Sequence, residues 1–335
     1  MTRATLRDVA RIAGVHPGTV SRALNPDTEA LVRAETVQRV RQVATELGYR
    51  PNPLARGLKT NRSYTVGVIV PDIRNPLFPP IIRGLDDRLG EAGYTPLIAN
   101  TDNDAEREWM DFEAMRARQV DGIVTASARV HHELLDDIAL SGTPLVLVNR
   151  RVADGSLPSA TADDHAGARL AVEHLVELGH TRIAHLAGPD DVSTGRQRRD
   201  GFEEAMRNAG LDPGLVRTGH AFTEAEGARL CEELLDADEP FTAIVAGNDL
   251  MALGCYDVFA ARGIACPDEI SVVGFNDMPF AARFAPPLTT IAIPHYEIGV
   301  AAAELLLERM AGREDGPTEV VLPAHLVVRG STRQG

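Results

Sequence analysis

Thr19, Ser21 and Arg22, near the start of the chain, place two short hydroxyls and one planar guanidinium within a single helical turn. A guanidinium can donate to both O6 and N7 of a guanine edge, a pairing worth roughly 1–3 kcal/mol of discrimination, and hydroxyls suit phosphate oxygens. The chemistry on offer is recognition of a duplex rather than bond-making. Pro17 and Gly18 precede this set with little side-chain bulk. A second polar set recurs later, beside the ends of short apolar runs: Asn75 and Phe78, Asn100 and Asp102, Asn149 and Arg150, then Arg198, Asn248-Asp249 and Asn276-Asp277. Amides and guanidinium groups give hydroxyl-bearing small molecules fixed donors and acceptors, and an aromatic face can lie against the apolar side of a ring.

The first set needs a helix pair to present it. Thr5 with Asp8 three residues on is a capping-box spacing, and Leu6, Val9, Ala10 and Ala13 then share one helical face. Gly14 tolerates the positive φ of a turn, and Pro17 suits the first position of the next helix, where no amide hydrogen is needed. Val15, Val20 and Leu24 close the small core. The alternative, ordinary helix packing with Arg22 a solvated charge, does not account for the joint fit of cap, turn and donor. Charge points the same way. Residues 1–63 carry eleven basic and five acidic side chains, net +6, whereas the whole chain is −14, which leaves −20 for the remainder. A basic head on an acidic body suits a protein that presents one end to nucleic acid.

At 335 residues, with 44% hydrophobic composition, the chain can build two or three cores. No apolar run approaches the roughly 20 residues that span a bilayer, and Met1 leads straight into the charged helix, so no membrane association and a cytoplasmic location are expected. Cys231, Cys255 and Cys266 are odd in number and lack Cys-x-x-Cys spacing; they are expected to be small buried apolar residues, with neither metal nor disulfide. A third helix is predicted from Ala34 to Leu47 with Val37, Val40, Val43, Ala44 and Leu47 inward, stopped by Gly48. Prolines then frame a short segment, Pro53 to Leu58, too brief to be stable alone and expected to order only when something docks against it.

Asp8-Val-Ala10, Thr19-Val-Ser-Arg22, Gly48-Tyr-Arg-Pro-Asn52, Ala55-Arg-Gly-Leu58, Asn75-Pro-Leu-Phe78, Val120-Asp-Gly-Ile123, His174-Leu-Val-Glu-Leu-Gly-His180, Asn248-Asp-Leu-Met-Ala-Leu-Gly254, Val272-Val-Gly-Phe-Asn-Asp277 and Leu288-Thr-Thr-Ile291 together resemble the lactose-repressor (LacI) family of bacterial transcription regulators over nearly the full length. The resemblance implies an α/β fold: a helix-turn-helix head with a hinge helix, then a two-lobed domain like the periplasmic sugar-binding proteins. It implies DNA contacts from Thr5, Leu6, His16, Pro17, Gly18, Thr19, Ser21, Arg22 and Asn25. Asn52, Ala55, Leu58 and Lys59 would join them from the hinge, with Leu58 wedged between base pairs from the minor groove to bend the duplex. The alternative makes Leu58 a linker leucine covering the next domain. His16 stands where the family has a serine cap on the recognition helix, and Arg33 where serine caps the third. Each departure weakens its cap by roughly 1 kcal/mol if nothing replaces it.

Beyond Ser63, short apolar runs alternate with amphipathic helices, the rhythm of parallel sheets joined by crossovers. Strands are predicted at 64–70, 95–99, 122–125, 145–148, 182–187, 243–246 and 271–275; helices at 79–92, 105–118, 165–178, 198–208, 224–235, 250–261 and 297–310. The expected division is a head at 1–50, a hinge at 51–63 and an effector domain at 64–335. Its first lobe would take 64–162 and 291–320, its second 163–290 and 321–330, both doubly wound. Ligands of open α/β sheets bind beyond the carboxyl ends of the strands, where the second polar set falls.

By the same resemblance the effector would touch Asn75, Phe78, Asn149, Arg150, Arg198, Phe222, Asn248 and Asn276, to which the strand-end pattern adds Asp102. Any one of these alone is as readily a turn former or cap. Close sugar-binding relatives carry aspartates at Asn149 and Asn276 and a glutamine at Ile293, so this pocket is less anionic. The expected effector is a sugar, or a sugar derivative bearing a negative group, rather than a nucleobase.

Enzymatic readings lack support: the single lysine, Lys59, is in the hinge, so there is no Gly-x-x-x-x-Gly-Lys loop, and Gly-x-Ser-x-Gly and His-Glu-x-x-His do not occur. No cofactor is expected. His131-His132-Glu133 reads as a solvated helix start rather than a metal site, and His174 and His180, which bracket a helix end where a cation favours the dipole, read as structural. A DNA-binding regulator is favoured over a solute-binding module of an uptake system, because a basic helix pair stands where a signal segment would be, and over a sugar-processing enzyme. Without further heptads after Ser331 a homodimer on a pseudo-palindromic operator is expected. The effector would act by induction, or alternatively by corepression.

Overall fold

The computed structural model describes residues 4–25, 28–49, 62–237, 239–313, 315–316 and 318–335. Asn52, Ala55, Leu58 and Lys59, with the expected hinge helix, lie outside them. The chain divides into two compact units, 1–64 and 65–335.

In the first unit, α1 (Leu6–Ala13), α2 (Pro17–Ala23) and α3 (Ala34–Glu46) form the three-helix head. Val9, Ala10, Ala13, Val20, Ala23, Val37, Val40, Val43 and Ala44 are its buried core, flanked by Leu6, Val15, Leu24 and Leu47. Gly14 ends α1 at φ 64°, the left-handed conformation that an L side chain resists. A 3₁₀ turn, Glu29–Leu31, precedes α3 and holds Arg41 by an ion pair to Glu29.

The second unit holds β1 (Thr65–Val70), α4 (Phe78–Glu91), β2 (Thr95–Asn100), α5 (Ala105–Ala117), β3 (Gly122–Thr125), α6 (Glu133–Leu140), β4 (Leu145–Val148), β5 (Ser159–Ala162), α7 (Asp164–Glu177), β6 (Ile183–Ala187), α8 (Ser193–Asn208), β7 (Val216–Thr218), α9 (Glu224–Asp236), β8 (Ala243–Ala246), α10 (Asp249–Arg262), β9 (Ser271–Asn276), β10 (Thr289–Ala292), α11 (His295–Met310), β11 (Glu319–Leu322) and β12 (His325–Val327). They build two six-stranded sheets, ordered β11-β5-β4-β3-β1-β2 and β12-β10-β9-β8-β6-β7. All described pairings are parallel except β10 with β12. No helix among the described residues is long and apolar enough to cross a membrane.

The crossings between lobes differ slightly from the sequence expectation. β10 belongs to the second sheet through Ala292, and β11 to the first through Leu322, so the chain changes lobe two residues later at each point. β5, although buried throughout, was not among the expected strands, because Ser-Ala-Thr-Ala lacks an apolar run. Helix α8 starts at Ser193, so Arg198 lies inside it rather than opening it. Its early Ser-Thr-Gly resembles a loop, yet these residues are buried, and a side chain on Gly195 would collide with the Pro189 carbonyl.

Candidate functional site

At the head, the Thr5 and Asp8 cap is reciprocal: the Asp8 amide donates to Thr5 Oγ1 at 3.3 Å and the Thr5 amide to Asp8 Oδ2 at 3.0 Å. The hydrogen bonds from Thr5 hold the exposed Asp8 carboxyl below its ordinary value. His16 does not leave α2 uncapped. Its Nδ1 accepts the Gly18 amide at 3.1 Å, which replaces the missing serine with a ring nitrogen. Arg33 makes no side-chain cap to α3, in line with that departure. On α2, Thr19 and Ser21 are partly exposed and Arg22 is exposed, with no ion pair among the described residues. Pro17 at the first helical position and Gly18 beside it keep that face low. Asn25 follows the helix, its amide donating to Arg22 O at 3.2 Å.

In the second unit, all nine residues expected to meet an effector line one cleft of about 410 Å³ between the lobes. Several also serve local structure. Asn75 accepts the Leu77 amide at 3.0 Å just before α4, whose first residue is the buried Phe78. Asp102 accepts from the Asn100 amide group at 2.7 Å and pairs with Arg107. Asn248 caps α10, taking the Met251 amide at 2.9 Å, and its own amide reaches Phe222 O at 3.4 Å. Asn149 and Asn276 end their strands at φ 65° and 108°, turning the chain sharply at the cleft edge.

Arg198 is the most constrained group. Its Nε donates to Asp164 Oδ1 at 2.7 Å, Nη1 to Gly247 O at 2.7 Å and Nη2 to Asn276 Oδ1 at 3.1 Å. The guanidinium carbon stands 3.8 Å from the centre of the Phe275 ring and 5.5 Å from that of Phe222. The paired side chains are 4% and 3% exposed. Burial raises the Asp164 carboxyl despite the attraction of Arg198. Next to Asn248, buried Asp249 accepts from the Met278 amide at 2.7 Å and Thr290 Oγ1 at 2.5 Å, which ties α10 to β10; burial pushes it up to about 7.

Arg150 behaves differently. Its backbone amide turns back to Val148 O at 2.7 Å, but its Nε is shut off from solvent without an acceptor, and burial lowers the guanidinium to about 10. The sequence pattern did not single out Arg129, Asp191, Thr194 or His220, which also line the cleft. Arg129 Nε lies 4.0 Å from Asp191 Oδ2 across the lobes, beside a hydrogen bond from the Val130 amide to Asp191 O at 2.8 Å. Arg129 and Asp191 carry no local signature, since only the facing lobe brings them together.

Of the histidines, His132 departs from expectation. At the N-cap of α6 it is partly buried, its Nε2 3.2 Å from Glu108 Oε2 and its Nδ1 accepting the Arg129 amide, so it is packed rather than solvated, whereas His131 and Glu133 beside it are exposed. Burial lowers His174 and His180 below the usual histidine value, which works against a charged pairing with the helix dipole. Their role is structural, as expected: they anchor the C-terminal segment, His174 through Thr332 Oγ1 at 3.0 Å and His180 through Arg333 O at 3.0 Å, with Thr242 Oγ1 at 2.7 Å from His180 Nδ1. Cys231 and Cys255 are buried and Cys266 partly so, all as free thiols.

Two family descriptions match the chain: bacterial regulatory proteins of the lacI family over residues 5–52, and the periplasmic binding protein-like domain over residues 172–332. The HTH-type transcriptional repressor CytR of Escherichia coli K12 is 37% identical, covering 99% of this chain and 97% of its own length. The transcriptional regulator CelR in complex with cellobiose superposes with a TM-score of 0.75 at 32% identity, over 98% of this chain and 100% of that one. The Lac repressor dimer bound to operator and the anti-inducer ONPF gives 0.85 at 28% identity, over 99% and 100%. Head, two-lobed body and full-length similarity agree: the chain belongs to the lacI family of bacterial regulatory proteins.

Proposed function

We propose that this protein is a cytoplasmic, homodimeric repressor that binds a pseudo-palindromic operator and is controlled by a hydroxyl-rich effector in the interlobe cleft. The observation that carries the reading is the convergence of Asn75, Phe78, Asp102, Asn149, Arg150, Arg198, Phe222, Asn248 and Asn276 on one cavity. On the head, Arg22 reads a base edge, and Thr19 and Ser21 bond phosphate. Thr5, Leu6, His16, Pro17, Gly18 and Asn25 set the register on the duplex. Asn52, Ala55, Leu58 and Lys59 contact DNA from the hinge, with Leu58 as the bending wedge. Operator in the Lac repressor complex and cellobiose in the CelR complex support both halves of the proposal. Ile73, Ile98, Trp109 and Met110 are about half exposed on the first lobe, apolar area that a second copy would cover.

Mechanistically, an effector that bridges the lobes favours the closed cleft, and only its differential affinity for two states of the dimer can shift operator binding. The default sign is induction. The test is to select genomic fragments with the full chain and titrate them by fluorescence anisotropy, with and without a panel of sugars. Arg22→Ala should lose preference at one base pair per half-site, by about 10-fold or more, and Arg198→Ala should lose the effector response. No preference for any duplex over bulk DNA at physiological salt would overturn the proposal, and so would an unchanged effector response in Arg198→Ala.

A further inference from the structure

Three guanidinium groups line the cleft, and two of them have partners. Arg198 is bonded to Asp164, Gly247 and Asn276, and Arg129 donates to Asn103 O at 3.1 Å while facing Asp191. Arg150 makes no side-chain hydrogen bond or ion pair among the described residues, and its Nε is sealed from solvent. The carboxylates in its field are engaged elsewhere: Glu108 by the Ser127 hydroxyl and His132, Asp191 by Arg129. Arg150 is half-buried and lines the cleft, its five donors meet no acceptor among the described residues, its Nε is fully shut off from solvent, and the left-handed turn at Asn149 precedes it. The cavity already supplies the remaining sides of a ligand site.

We propose that Arg150 is an oxyanion subsite, so that the effector is a sugar-like molecule bearing a phosphate or carboxylate group. This rests on the reading of the cleft as the effector site. A planar guanidinium takes two oxygens of either group at once, in charge-assisted hydrogen bonds that a neutral hydroxyl cannot match.

The experiment uses the full chain, with calorimetry and thermal melting at constant ionic strength. The probes are ribose, ribose 5-phosphate, glucose, glucose 6-phosphate, gluconate and inorganic phosphate. At least one charged probe should bind about 10- to 100-fold more tightly than its neutral parent. Arg150→Gln should erase that preference without lowering the melting temperature of the unliganded protein. Preference for glucose 6-phosphate over gluconate would assign the oxyanion to phosphate, and the reverse to carboxylate. The subsite is overturned if Arg150→Gln keeps the preference, if no charged probe exceeds its neutral parent, or if the unliganded variant melts several degrees lower, the mark of a structural cation. Sugar binding that Arg198→Ala abolishes but that shows no charge preference would sink the subsite alone; binding that Arg198→Ala leaves intact would sink the cleft reading itself.

Discussion

Replacing Asp164 by alanine should destabilise the two-lobed unit by about 3 kcal/mol, because it strands the Arg198 charge inside the protein. Removing one partner of a buried pair costs about 3–5 kcal/mol, since the survivor has lost both water and its counter-ion. The lower end applies here. Arg198 would still donate to Gly247 O and Asn276 Oδ1 and would still face the Phe275 ring, a contact worth about 2 kcal/mol when desolvated. At a urea slope of about 3 kcal/mol per molar, the unfolding midpoint should fall by about 1 M. The single tryptophan, Trp109, lies on α5 of this unit, so its fluorescence reports the unit without interference from the head. Asp164→Asn keeps an oxygen for Nε and should lose about half as much. The double variant Asp164→Leu, Arg198→Met should recover most of the stability while losing the effector response, since apolar replacement removes the stranded charge. A midpoint shift below about 0.3 M for Asp164→Ala would refute the argument that this pair is what neutralises Arg198.

The carboxyl of Asp249, pushed up to about 7 by burial from 3.8, binds its proton more tightly in the folded state. Its contribution is therefore fully present below about pH 4 and lost as pH rises through about 7, by up to about 4 kcal/mol at 1.4 kcal/mol per unit. His174, His180, His185 and His295 are lowered by burial and act in the opposite sense, losing stability as pH falls below about 6.5. The quantity to measure is thus the difference between wild type and Asp249→Asn in urea unfolding from pH 5 to 8.5; a difference that stays constant over that range would contradict the buried proton. At the head, His16→Ala should remove about 1 kcal/mol of capping, seen as roughly fivefold faster amide exchange at Gly18, with His16→Ser restoring protection. Unchanged exchange in the alanine variant would show that the Nδ1 contact does not hold the helix start.

The head was legible in the residues because its determinants are local. The Thr5 and Asp8 cap, the Gly14 turn, Pro17 and the apolar spacing of α1 to α3 all act within a few positions of one another. The strand ends were legible for the same reason: an apolar run followed by a polar residue is a short-range signal, and it marked eight of the nine residues that share one cavity, Phe222 coming only from the family resemblance. What those residues do there was not legible. Arg198 meets partners 34, 49 and 78 positions away, and whether a guanidinium is neutralised, as this one is, or left without an acceptor, as Arg150 is, depends on which distant oxygens the fold delivers. The lowering of His174 and His180, the meeting of His132 with buried Glu108, and Arg129 facing Asp191 across the lobes have the same origin. Local spacing sets helices, turns and strand ends; burial and long-range pairing set charge, and only the tertiary fold, which brings distant segments together within each lobe and between the two, decides those.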